Sequence, residues 1–439
     1  MSQPPMTCFV EALPLDGMGF EALSAAGTAA STFVLQRSQE GGAPAEFSYY
    51  GLDVEPIKQE HADALTTGGT SVHYASDRVA AAAGAIPFKG GVFVYLPYDT
   101  VDGQGHAFWL TRVLLILVHR TSEAFVASLS REATSGAAVA WAARLQALVA
   151  NPPASSEDTQ WQVDVTFEAY CAGIQAVQAR IAAGEIEQAI YSLSLSKRTP
   201  AQAEGVFHVL QRRNASPHVF LVRHGEATLI GASPAMHLRK AGELLTVETD
   251  AGTRRLGVTE QETKAIEREL LSAEKDLEEQ RMIVDETIAD LAAIASGPVE
   301  VPVRLEVRRL GSVMHLFTVL QARVAPGVTP LGAVTSCFPP AAVTGVPRRA
   351  AMAVIREVEK VARGPYGGVL GVVSLDGSVD TAIILRSAVL RDGSVVMRCG
   401  GGITHASVAA DEYQECLNKA RSLQSAIDEA EAALRTAPV

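Results

Sequence analysis

The sequence predicts an α+β fold, chiefly because of three apolar runs in its C-terminal part. The runs are rich in β-branched residues and lie at 367–374, 381–390 and 394–399. The first two and the last two are separated by Asp-Gly dipeptides, which favour tight hairpins. Strands joined in this way form an antiparallel meander, whereas a doubly wound parallel sheet would need a crossover helix between successive strands.

Helices are predicted on either side of this meander. Two long, charged helical patterns cover about 259–295 and 409–436. An amphipathic helix follows Thr166, a candidate N-cap, and ends at Gly184, where a glycine is typical after a helix. The next segment, 188–197, alternates as a strand and carries mostly hydroxyl and amide side chains on one face. We expect that face to line a polar cavity rather than a dry core.

A change of composition divides the chain. Residues 151–158 form a polar stretch rich in Pro and Ser, which predicts a boundary between an N-terminal region, 1–160, and a second region, 165–436. The N-terminal region carries no chemical motif, but we expect it to contribute strands to the same fold. Its strand-like segments lie at 31–37, 91–96 and 108–118.

Composition excludes several classes of protein. The chain has 439 residues, 48% of them apolar, and a formal net charge of −12, so it can form a large globular core and is a poor partner for nucleic acid. No apolar run reaches the roughly 20 residues that a membrane span requires. Five scattered cysteines without a C-x-x-C pair indicate neither a disulfide framework nor a zinc site. Because the N-terminus lacks a signal-peptide pattern, we expect a cytoplasmic protein.

Two pairs of carboxylates are candidate metal ligands. Asp276 and Glu279 lie three residues apart on the first long helix, and Glu412 and Glu415 lie three residues apart on the last. Residues at i and i+3 share a helix face, so convergence of the two helices would bring four carboxylates together. Such a set of oxygen ligands suits Mg²⁺. The alternative is that both pairs lie on solvated helix faces.

An arginine and a run of glycines are candidate groups for binding an anion. Arg386 interrupts an apolar strand pattern, where a charge must either face water or bind an anion. Three glycines, Gly400, Gly401 and Gly402, follow the next strand. Their backbone N–H groups could approach a carboxylate closely, or the glycines could form a flexible turn.

Two further residues have both an ordinary and a functional interpretation. Lys419 follows Glu415 by four residues, which is the spacing of a common ion pair on a helix surface. His315 lies on a probable strand among apolar neighbours, where a histidine is more often a buried core group than a catalyst. The sequence has no G-x-x-x-x-G-K, G-x-S-x-G or H-E-x-x-H motif, so common phosphate, serine-hydrolase and zinc-protease sites lack support.

Nine segments occur in an order and at separations that are typical of one enzyme family. They are GEIEQAIYS (184–192), LIGASP (229–234), DAGTRRLG (250–257), EKDLEEQRMIVD (274–285), GSVMHLFTVL (311–320), FPPAAVTGVPRRAAM (338–352), RGPYGGVLG (363–371), ILRSA (384–388), and CGGGI with DEYQECLNKA (399–420). The set resembles the chorismate-utilising enzymes, which include anthranilate, aminodeoxychorismate, aminodeoxyisochorismate, isochorismate and salicylate synthases. The resemblance covers roughly 165–430.

The resemblance implies a fold, a metal and a set of site residues. The fold would consist of two large, mainly antiparallel sheets packed together, with helices outside. Mg²⁺ would be held by Asp276, usually Glu in the family, and by Glu279, Glu412 and Glu415. His315 matches the histidine associated with pyruvate elimination. The substrate, chorismate or a dicarboxylate derived from it, would contact Gly252, Thr253, Tyr366, Arg386, Gly400, Gly401, Gly402 and Lys419.

Gln188 is the position that separates members of this family. In members that use water, the corresponding residue resembles a lysine that deprotonates the water, and glutamine cannot act as that base. Ammonia is already a nucleophile when neutral, so Gln188 is similar to the anthranilate and aminodeoxyisochorismate types. Ala251 also lacks the nucleophilic lysine of many aminodeoxychorismate synthases. The resemblance therefore favours amination at C2, with Gln188 and His315 as the catalytic positions.

Several residues depart from the family pattern. Ala235 stands where the family has a glutamate that protonates the departing hydroxyl, and loss of a general acid typically costs about 10²–10⁴ in rate. Ala342 replaces a threonine, and Gln280 replaces a histidine. The usual Arg-Asn-Asp reads Ile-Ala-Asp at 288–290. The metal and substrate residues thus look intact, while the groups that transfer protons look altered.

Three hypotheses follow. The leading one is a Mg²⁺-dependent enzyme that aminates chorismate to aminodeoxyisochorismate or anthranilate in a secondary-metabolite pathway, supplied with ammonia by a separate glutamine amidotransferase. The second is an isochorismate- or salicylate-synthase-like or pyruvate-lyase activity on a chorismate-derived intermediate. The third is a paralogue that binds chorismate without turnover. The sequence leaves open whether the chain forms a homodimer.

Regulation by tryptophan is not expected. The family's feedback motif, a Leu-Leu-Glu-Ser-like stretch near the N-terminus, has only FVEA at 9–12 as its counterpart. The partner pattern N-P-x-P-Y-M reads NASPHV at 214–219. We therefore predict that tryptophan does not inhibit the protein.

Overall fold

A computed structural model shows a mixed fold in which strands and helices alternate irregularly along the chain. It describes residues 6–13, 19–38, 45–67, 71–100, 105–130, 137–147, 160–213, 216–310 and 313–436. The strands are β1 Thr7–Ala12, β2 Phe33–Ser38, β3 Ala45–Ile57, β4 Ser71–Tyr74, β5 Gly91–Leu96, β6 Ala107–Val118, β7 Glu123–Ser130, β8 Gln162–Val163, β9 Gln188–Arg198, β10 His218–His224, β11 Ala227–Ser233, β12 Met236–Ala241, β13 Leu244–Arg255, β14 Glu300–Leu310, β15 Val313–Arg323, β16 Gly345–Val346, β17 Val369–Ser374, β18 Val379–Ile383, β19 Ser387–Arg391 and β20 Ser394–Ile403.

The α-helices are shorter on average in the N-terminal part than in the C-terminal part. They are α1 Phe20–Ala30, α2 Gln59–Thr67, α3 Asp77–Ala83, α4 Ala137–Ala147, α5 Phe167–Ala182, α6 Ala203–Arg213, α7 Glu260–Leu270, α8 Glu274–Ala292, α9 Pro330–Ser336, α10 Ala341–Thr344, α11 Arg348–Glu359 and α12 Ala409–Thr436. Within the described residues, no helix is both long and apolar enough to cross a membrane.

The strands form one branched, hydrogen-bonded network rather than two separate sheets. Strand β6 is the branch point: one edge pairs with β3, and the other pairs with β5 in its first half and β7 in its second. From β3 a first arm runs through β2, β10, β11, β19 and β20 to β9. From β5 a second arm runs through β17, β18, β12, β13 and β15 to β14. In the described part, only β1 and β4 pair in parallel.

The two arms pack face to face, as two packed sheets would. Phe33 on the first arm stacks on Phe93 of the second, with ring centroids 4.0 Å apart. Both belong to an apolar cluster that also contains Phe220 and Leu370, one from each arm. Helices α5, α6, α11 and α12 cover the outer side of the first arm through a second cluster. A large antiparallel sheet is confirmed, but the structure has one connected network of strands where two packed sheets were predicted.

Several local predictions are confirmed. Helix α5 begins after Thr166, whose hydroxyl accepts a hydrogen bond from the backbone N–H of Ala169. Gly184 follows the helix with a φ of 72°, a conformation that favours glycine. The predicted strands at 108–118 and 188–197 are β6 and β9, and the last long helix is α12.

The predicted helix at 259–295 is in fact two helices, α7 and α8. The break falls at 271–273, where the hydroxyl of Ser272 donates hydrogen bonds to the carbonyl groups of Arg268 and Glu269. Ala273 then takes an extended conformation as the N-cap of α8. The charged pattern continues through this break and does not indicate it.

The predicted strand at 381–390 is also wrong, and so is the three-stranded meander. The chain leaves β18 at Ile383 and enters β19 at Ser387, and Arg386 between them has a φ of 46°. Strand β18 pairs with β17 and β12, whereas β19 pairs with β11 and β20. The chain therefore crosses from the second arm to the first at 384–386, and only the two hairpins of the meander exist.

Strands from the N-terminal part pair with strands from the C-terminal part. Strand β2 pairs with β10, and β5 pairs with β17. The polar stretch at 151–158, which suggested a boundary, lies outside the described residues.

Candidate functional site

The three consecutive glycines lie inside a strand, so their interpretation as a flexible turn is wrong. Gly400, Gly401 and Gly402 belong to β20 and pair with Ser192, Tyr191 and Ile190 of β9. A Cβ on Gly400 would lie 2.8 Å from the hydroxyl of Tyr366, and one on Gly401 would lie 3.1 Å from a carboxylate oxygen of Glu412. Because the three glycines have no side chains, they leave space beside β20 in which polar side chains from other parts of the chain lie.

Gln188 lies at the same edge of this space. A Cβ on Gly402 would stand only 2.2 Å from Nε2 of Gln188 and 2.7 Å from Oε1 of Glu279. The Gln188 side chain is fully buried, and neither its amide nitrogen nor its oxygen has a hydrogen-bond partner among the described residues. A buried amide without partners is costly unless a ligand or water satisfies it.

A bulge in β13 brings His315 into the site. Gly252, with a φ of 61°, is an extra residue in β13 between Ala251, opposite Leu316, and Thr253, opposite His315. The hydroxyl of Thr253 is 3.1 Å from Nδ1 of His315. Burial lowers the pKa of His315, and Arg386 adds to this effect, which outweighs the opposite effect of Asp250. The imidazole is therefore neutral near pH 7.

Arg386 is partly buried, and it has no counter-ion among the described residues. Its guanidinium makes no hydrogen bond or ion pair there, although its charge interacts with Asp250 at longer range. Burial lowers its pKa. The left-handed backbone at Arg386 is also unfavourable for a non-glycine residue. A partly buried cation without a partner among the described residues is suited to binding an anionic ligand.

Lys419 makes the ion pair that its spacing suggests, and a second contact as well. Its ammonium donates to Glu415 at 2.7 Å and to the carbonyl oxygen of Gly400 at 3.0 Å. Burial acts to lower the pKa of Lys419, but the Glu415 carboxylate outweighs it and holds the pKa above its ordinary value. Lys419 therefore places a positive charge beside Gly400.

The four candidate metal ligands lie around the same space, and three of them form an ion pair with a basic side chain. Asp276 pairs with Arg254 at 2.7 Å, and its carboxyl carbon is 3.0 Å from where a Cβ of Gly252 would lie. Glu412 is 2% exposed and pairs with Lys275 at 2.8 Å. Glu415 pairs with Lys419. The alternative of two solvated helix faces is therefore wrong for Glu412.

Glu279 has a raised pKa. Burial raises this pKa to about 7; Lys419 and Lys275 act in the opposite direction, while Glu415 and Asp276 raise it further. No hydrogen bond fixes this carboxyl group within the described residues. Because loss of solvent is the main cause of the rise, a cation bound beside Glu279 would favour the charged carboxylate.

This set of groups is chemically suited to Mg²⁺. Lys275 contacts Glu412, and its charge also interacts at longer range with Glu415 and Glu279. In the arrangement described, no three acidic, histidine or cysteine side chains lie close enough to hold one ion by themselves. Mg²⁺ does not need such a closed cage, because it keeps several waters and usually takes one or two carboxylates.

The residues that depart from the family pattern either pack among apolar side chains or form hydrogen bonds within the fold. Ala235 packs with Val343 and Ile383 in a small apolar cluster. Ala342 lies at the edge of that cluster. Gln280 is buried and donates hydrogen bonds to the backbone and side chain of Thr249. Position 235 is therefore in apolar surroundings.

Two residues of this site, Asp250 and Lys275, were not predicted from the sequence. Asp250 lies 3.9 Å from Nδ1 of His315; the bulge at Gly252 puts it on the same side as Thr253, and the sequence does not show a bulge. Lys275 precedes Asp276 on a charged helix and has the pattern of a surface residue. A conspicuous signal existed only for the glycines and Arg386, which interrupt apolar runs.

The chain is similar to known proteins in sequence and in fold. The chorismate binding enzyme family matches residues 31–425. Anthranilate synthase component 1 of Streptomyces coelicolor is 32% identical over 434 residues, covering 91% of this chain and 84% of that protein. The same component of Thermus thermophilus is 38% identical, but the match covers 63% of this chain and 60% of the relative. The match to the Acetivibrio thermocellus component covers only 54% of that relative.

Solved structures show the same fold. Anthranilate synthase component I of Streptococcus pneumoniae superposes with a TM-score of 0.71 at 23% identity, covering 90% of this chain and 92% of that one. The menaquinone-specific isochorismate synthase of Escherichia coli gives a TM-score of 0.75 at 20% identity, covering 97% and 95%. At these identities the likeness concerns the fold alone. The family match, which extends over most of the chain, shows that this protein belongs to the chorismate binding enzymes.

Proposed function

We propose that this protein is a Mg²⁺-dependent enzyme that adds ammonia to chorismate, giving aminodeoxyisochorismate or anthranilate. The observation that carries the proposal is the buried, unpartnered amide of Gln188 beside Gly402 and Glu279. An amide cannot deprotonate water, but it can orient a neutral amine by hydrogen bonding. Ammonia needs no base to become a nucleophile.

The cationic groups of the site are suited to a dicarboxylate. Arg386 offers a planar guanidinium without a counter-ion in the described part, which can bind a carboxylate through two parallel hydrogen bonds. Lys419 adds a positive charge beside Gly400, and the hydroxyl of Tyr366 lies next to the same glycine. These groups would hold the two carboxylates of the substrate and fix its ring relative to Gln188.

His315 would serve the second half of the reaction. Its imidazole is neutral and contacts Thr253, so it can accept a proton when pyruvate is eliminated. Asp250, 3.9 Å away, would stabilise the imidazolium that forms. This arrangement of a base and a carboxylate behind it is common in general base catalysis.

Mg²⁺ would be held by oxygens of Asp276, Glu279, Glu412 and Glu415. When bound, it would neutralise a carboxylate of the substrate and draw charge away from the ring. The residues of the chain would orient the substrate and exclude water, since Tyr366 and Gln188 are almost fully buried.

We further propose that a separate glutamine amidotransferase supplies the ammonia and that the pathway is one of secondary metabolism. The first part is supported by the similarity to anthranilate synthase component 1, a name that implies a second component. The second is supported by Ala235, because an efficient primary-metabolic enzyme is expected to keep a general acid.

The test is product analysis. The protein is incubated with chorismate and Mg²⁺, with and without ammonium, and products are followed by anthranilate fluorescence and mass spectrometry. We expect an aminated product that depends on ammonium, and none from the Arg386→Gln variant. A hydroxylated product carrying ¹⁸O from labelled water, with no aminated product, would contradict the proposal.

The apolar surroundings of Ala235 favour one second candidate. Without an acid to protonate a leaving hydroxyl, the chain would perform only the elimination of pyruvate from a preformed intermediate. Supplying aminodeoxyisochorismate or isochorismate would then release pyruvate, while chorismate with ammonium would give nothing. Ligand-induced stabilisation with no product from any of these substrates would instead indicate binding without turnover.

A further inference from the structure

Lys275 connects the two helices that carry the candidate metal ligands. Its ammonium, on the first turn of α8, donates to Oε1 of Glu412, on the first turn of α12, at 2.8 Å. The two partners differ in exposure: the Lys275 side chain is 41% exposed, whereas that of Glu412 is 2% exposed. The ion pair therefore lies at the edge of the site, with its negative partner inside.

Glu412 is oriented independently of Lys275. The hydroxyl of Ser407 donates to the same oxygen, Oε1, at 2.8 Å. Ser407 is itself held, because its oxygen accepts the backbone N–H of Thr404. The second oxygen of Glu412 lies over Gly401. Removal of Lys275 would thus leave a buried, correctly oriented carboxylate without its cation, which is an unfavourable state unless another cation replaces it.

The other two basic partners are fixed more firmly than Lys275. Arg254 bonds to Asp276 and also forms two hydrogen bonds with Glu269. Lys419 bonds to Glu415 and to the carbonyl of Gly400. Lys275 makes its one hydrogen bond, within the described residues, to Glu412. An exposed, flexible side chain with a single partner is the one most able to leave.

We propose that Lys275 is an internal counter-ion that occupies Glu412 in the metal-free protein and is displaced when a divalent cation binds. The ammonium compensates Glu412, Glu415 and Glu279 until the metal takes its place. Metal binding is then an exchange of one cation for another, and Lys275 weakens it. The inference rests on the metal part of the proposed function but not on the identity of the product.

The test measures metal binding without substrate. Lys275→Gln removes the competing charge, and Mn²⁺ is titrated by calorimetry and by electron paramagnetic resonance at about 0.3 M salt, which screens long-range charge effects. We expect Mn²⁺ to bind about tenfold more tightly to the variant than to the wild type, which corresponds to the loss of one charge-assisted hydrogen bond. Mg²⁺ should displace the bound Mn²⁺ from both proteins.

Two control variants separate direct competition from a general charge effect. Arg281→Gln removes one positive charge from the same helix, where Arg281 is exposed and pairs with Asp285, and should change the affinity less than twofold. Lys275→Arg keeps the charge and should not tighten binding. The Lys275→Gln protein should also melt at a lower temperature than the wild type without metal and gain more from added Mn²⁺.

Four results would overturn the inference. Equal Mn²⁺ affinity of Lys275→Gln and wild type would show that Lys275 does not compete, and a raised KM for chorismate with unchanged metal affinity would assign it to the substrate. An equal gain in Arg281→Gln would show a general charge effect. Failure of both the wild type and Lys275→Gln to bind Mn²⁺ would exclude this inference and the proposed metal together, while product formation would still be judged separately.

Discussion

Gly402 and Gln188 lie so close that a side chain at position 402 would displace the amide of Gln188. A Cβ at Gly402 would stand 2.2 Å from Nε2 of Gln188 and 2.7 Å from Glu279. Both contacts are side-chain ends that can move, so we expect Gly402→Ala to fold but to displace the two groups. Affinity for Mg²⁺ and chorismate, measured by calorimetry, should fall at least about tenfold, since misplacement of about 1 Å at a catalytic group is costly.

Gly297→Ala is the matched control for this variant. A Cβ at Gly297 would meet no atom within 4 Å, so the same substitution there should leave both affinities unchanged. If Gly402→Ala bound both ligands as the wild type does, the space above Gly402 would not be the binding site. A melting temperature within a few degrees of the wild type is required for the comparison to be meaningful.

Arg386 is expected to be required for binding but harmful to stability. Its guanidinium is partly buried and has no counter-ion within the described residues, so Arg386→Gln should raise the melting temperature by a few degrees. The same variant should bind chorismate about 100-fold more weakly, because it loses a two-pronged carboxylate contact. Differential scanning calorimetry and a binding titration measure the two effects.

Arg398 provides the contrasting case. It is buried, but it donates to the hydroxyl of Ser192 and lies 3.4 Å from Glu359. Arg398→Gln should therefore lower the melting temperature. A lower melting temperature in Arg386→Gln as well would indicate that Arg386 has a structural partner.

The sequence predicted those elements whose signals are local. Thr166 as an N-cap and Gly184 as the residue after α5 identify that helix without reference to the rest of the fold. The break at Ser272 was missed because a serine interrupts neither the charge pattern nor the helical period. The break at Arg386 was missed because the apolar run continues through it, and because the partners of β18 and β19 lie on different arms. Such breaks are decided by tertiary pairing.

The candidate site was predicted mainly from its resemblance to a family. Spacing alone allowed Glu412 to be a surface residue, whereas the structure buries it beneath Lys275. The two residues without a signal, Lys275 and Asp250, act through partners that are distant in the chain. Charged residues of this kind look like solvated surface groups until the fold brings their partners together.

Tryptophan should not regulate the protein. The segment 9–12 lies on β1. His218, which stands where the pattern N-P-x-P-Y-M has a tyrosine, is fully buried, and its Nε2 lies 3.2 Å from a carboxylate oxygen of Asp380. Asp380 also binds Arg37. A polar cluster therefore fills the surroundings of His218. We expect that millimolar tryptophan changes neither the melting temperature nor the rate of product formation. A higher melting temperature or a slower reaction in the presence of tryptophan would contradict this prediction.

Acid should destabilise the protein through His237. Burial lowers the pKa of His237 to about 4, although the hydrogen bond between the ring and the carbonyl of Cys337 acts in the opposite direction. In the unfolded chain the pKa is near 6.5, so between pH 6.5 and 4 only the unfolded state takes up the proton. Stability therefore falls as the pH falls through this window, by about 2 kcal/mol between pH 7.5 and 5.

Urea unfolding at pH 7.5 and 5 measures this effect. His237→Gln should lose most of the difference between the two pH values, whatever its stability at pH 7.5. His61→Gln, which replaces an exposed histidine on α2, serves as the control and should keep the wild-type difference. An unchanged difference in His237→Gln would assign the acid sensitivity to other groups.

Ala235→Glu should restore the missing general acid. Position 235 is 8% exposed and packs against Val343 and Ile383, so an introduced glutamate would be desolvated and its pKa raised. A protonated carboxyl at neutral pH can donate a proton to a departing hydroxyl, and such catalysis contributes about 10²–10⁴ in rate. Turnover of chorismate with ammonium should therefore increase by at least about 100-fold. Ala235→Gln has nearly the same shape but no acidic proton, so an equal gain in that variant would attribute the effect to packing rather than to proton transfer.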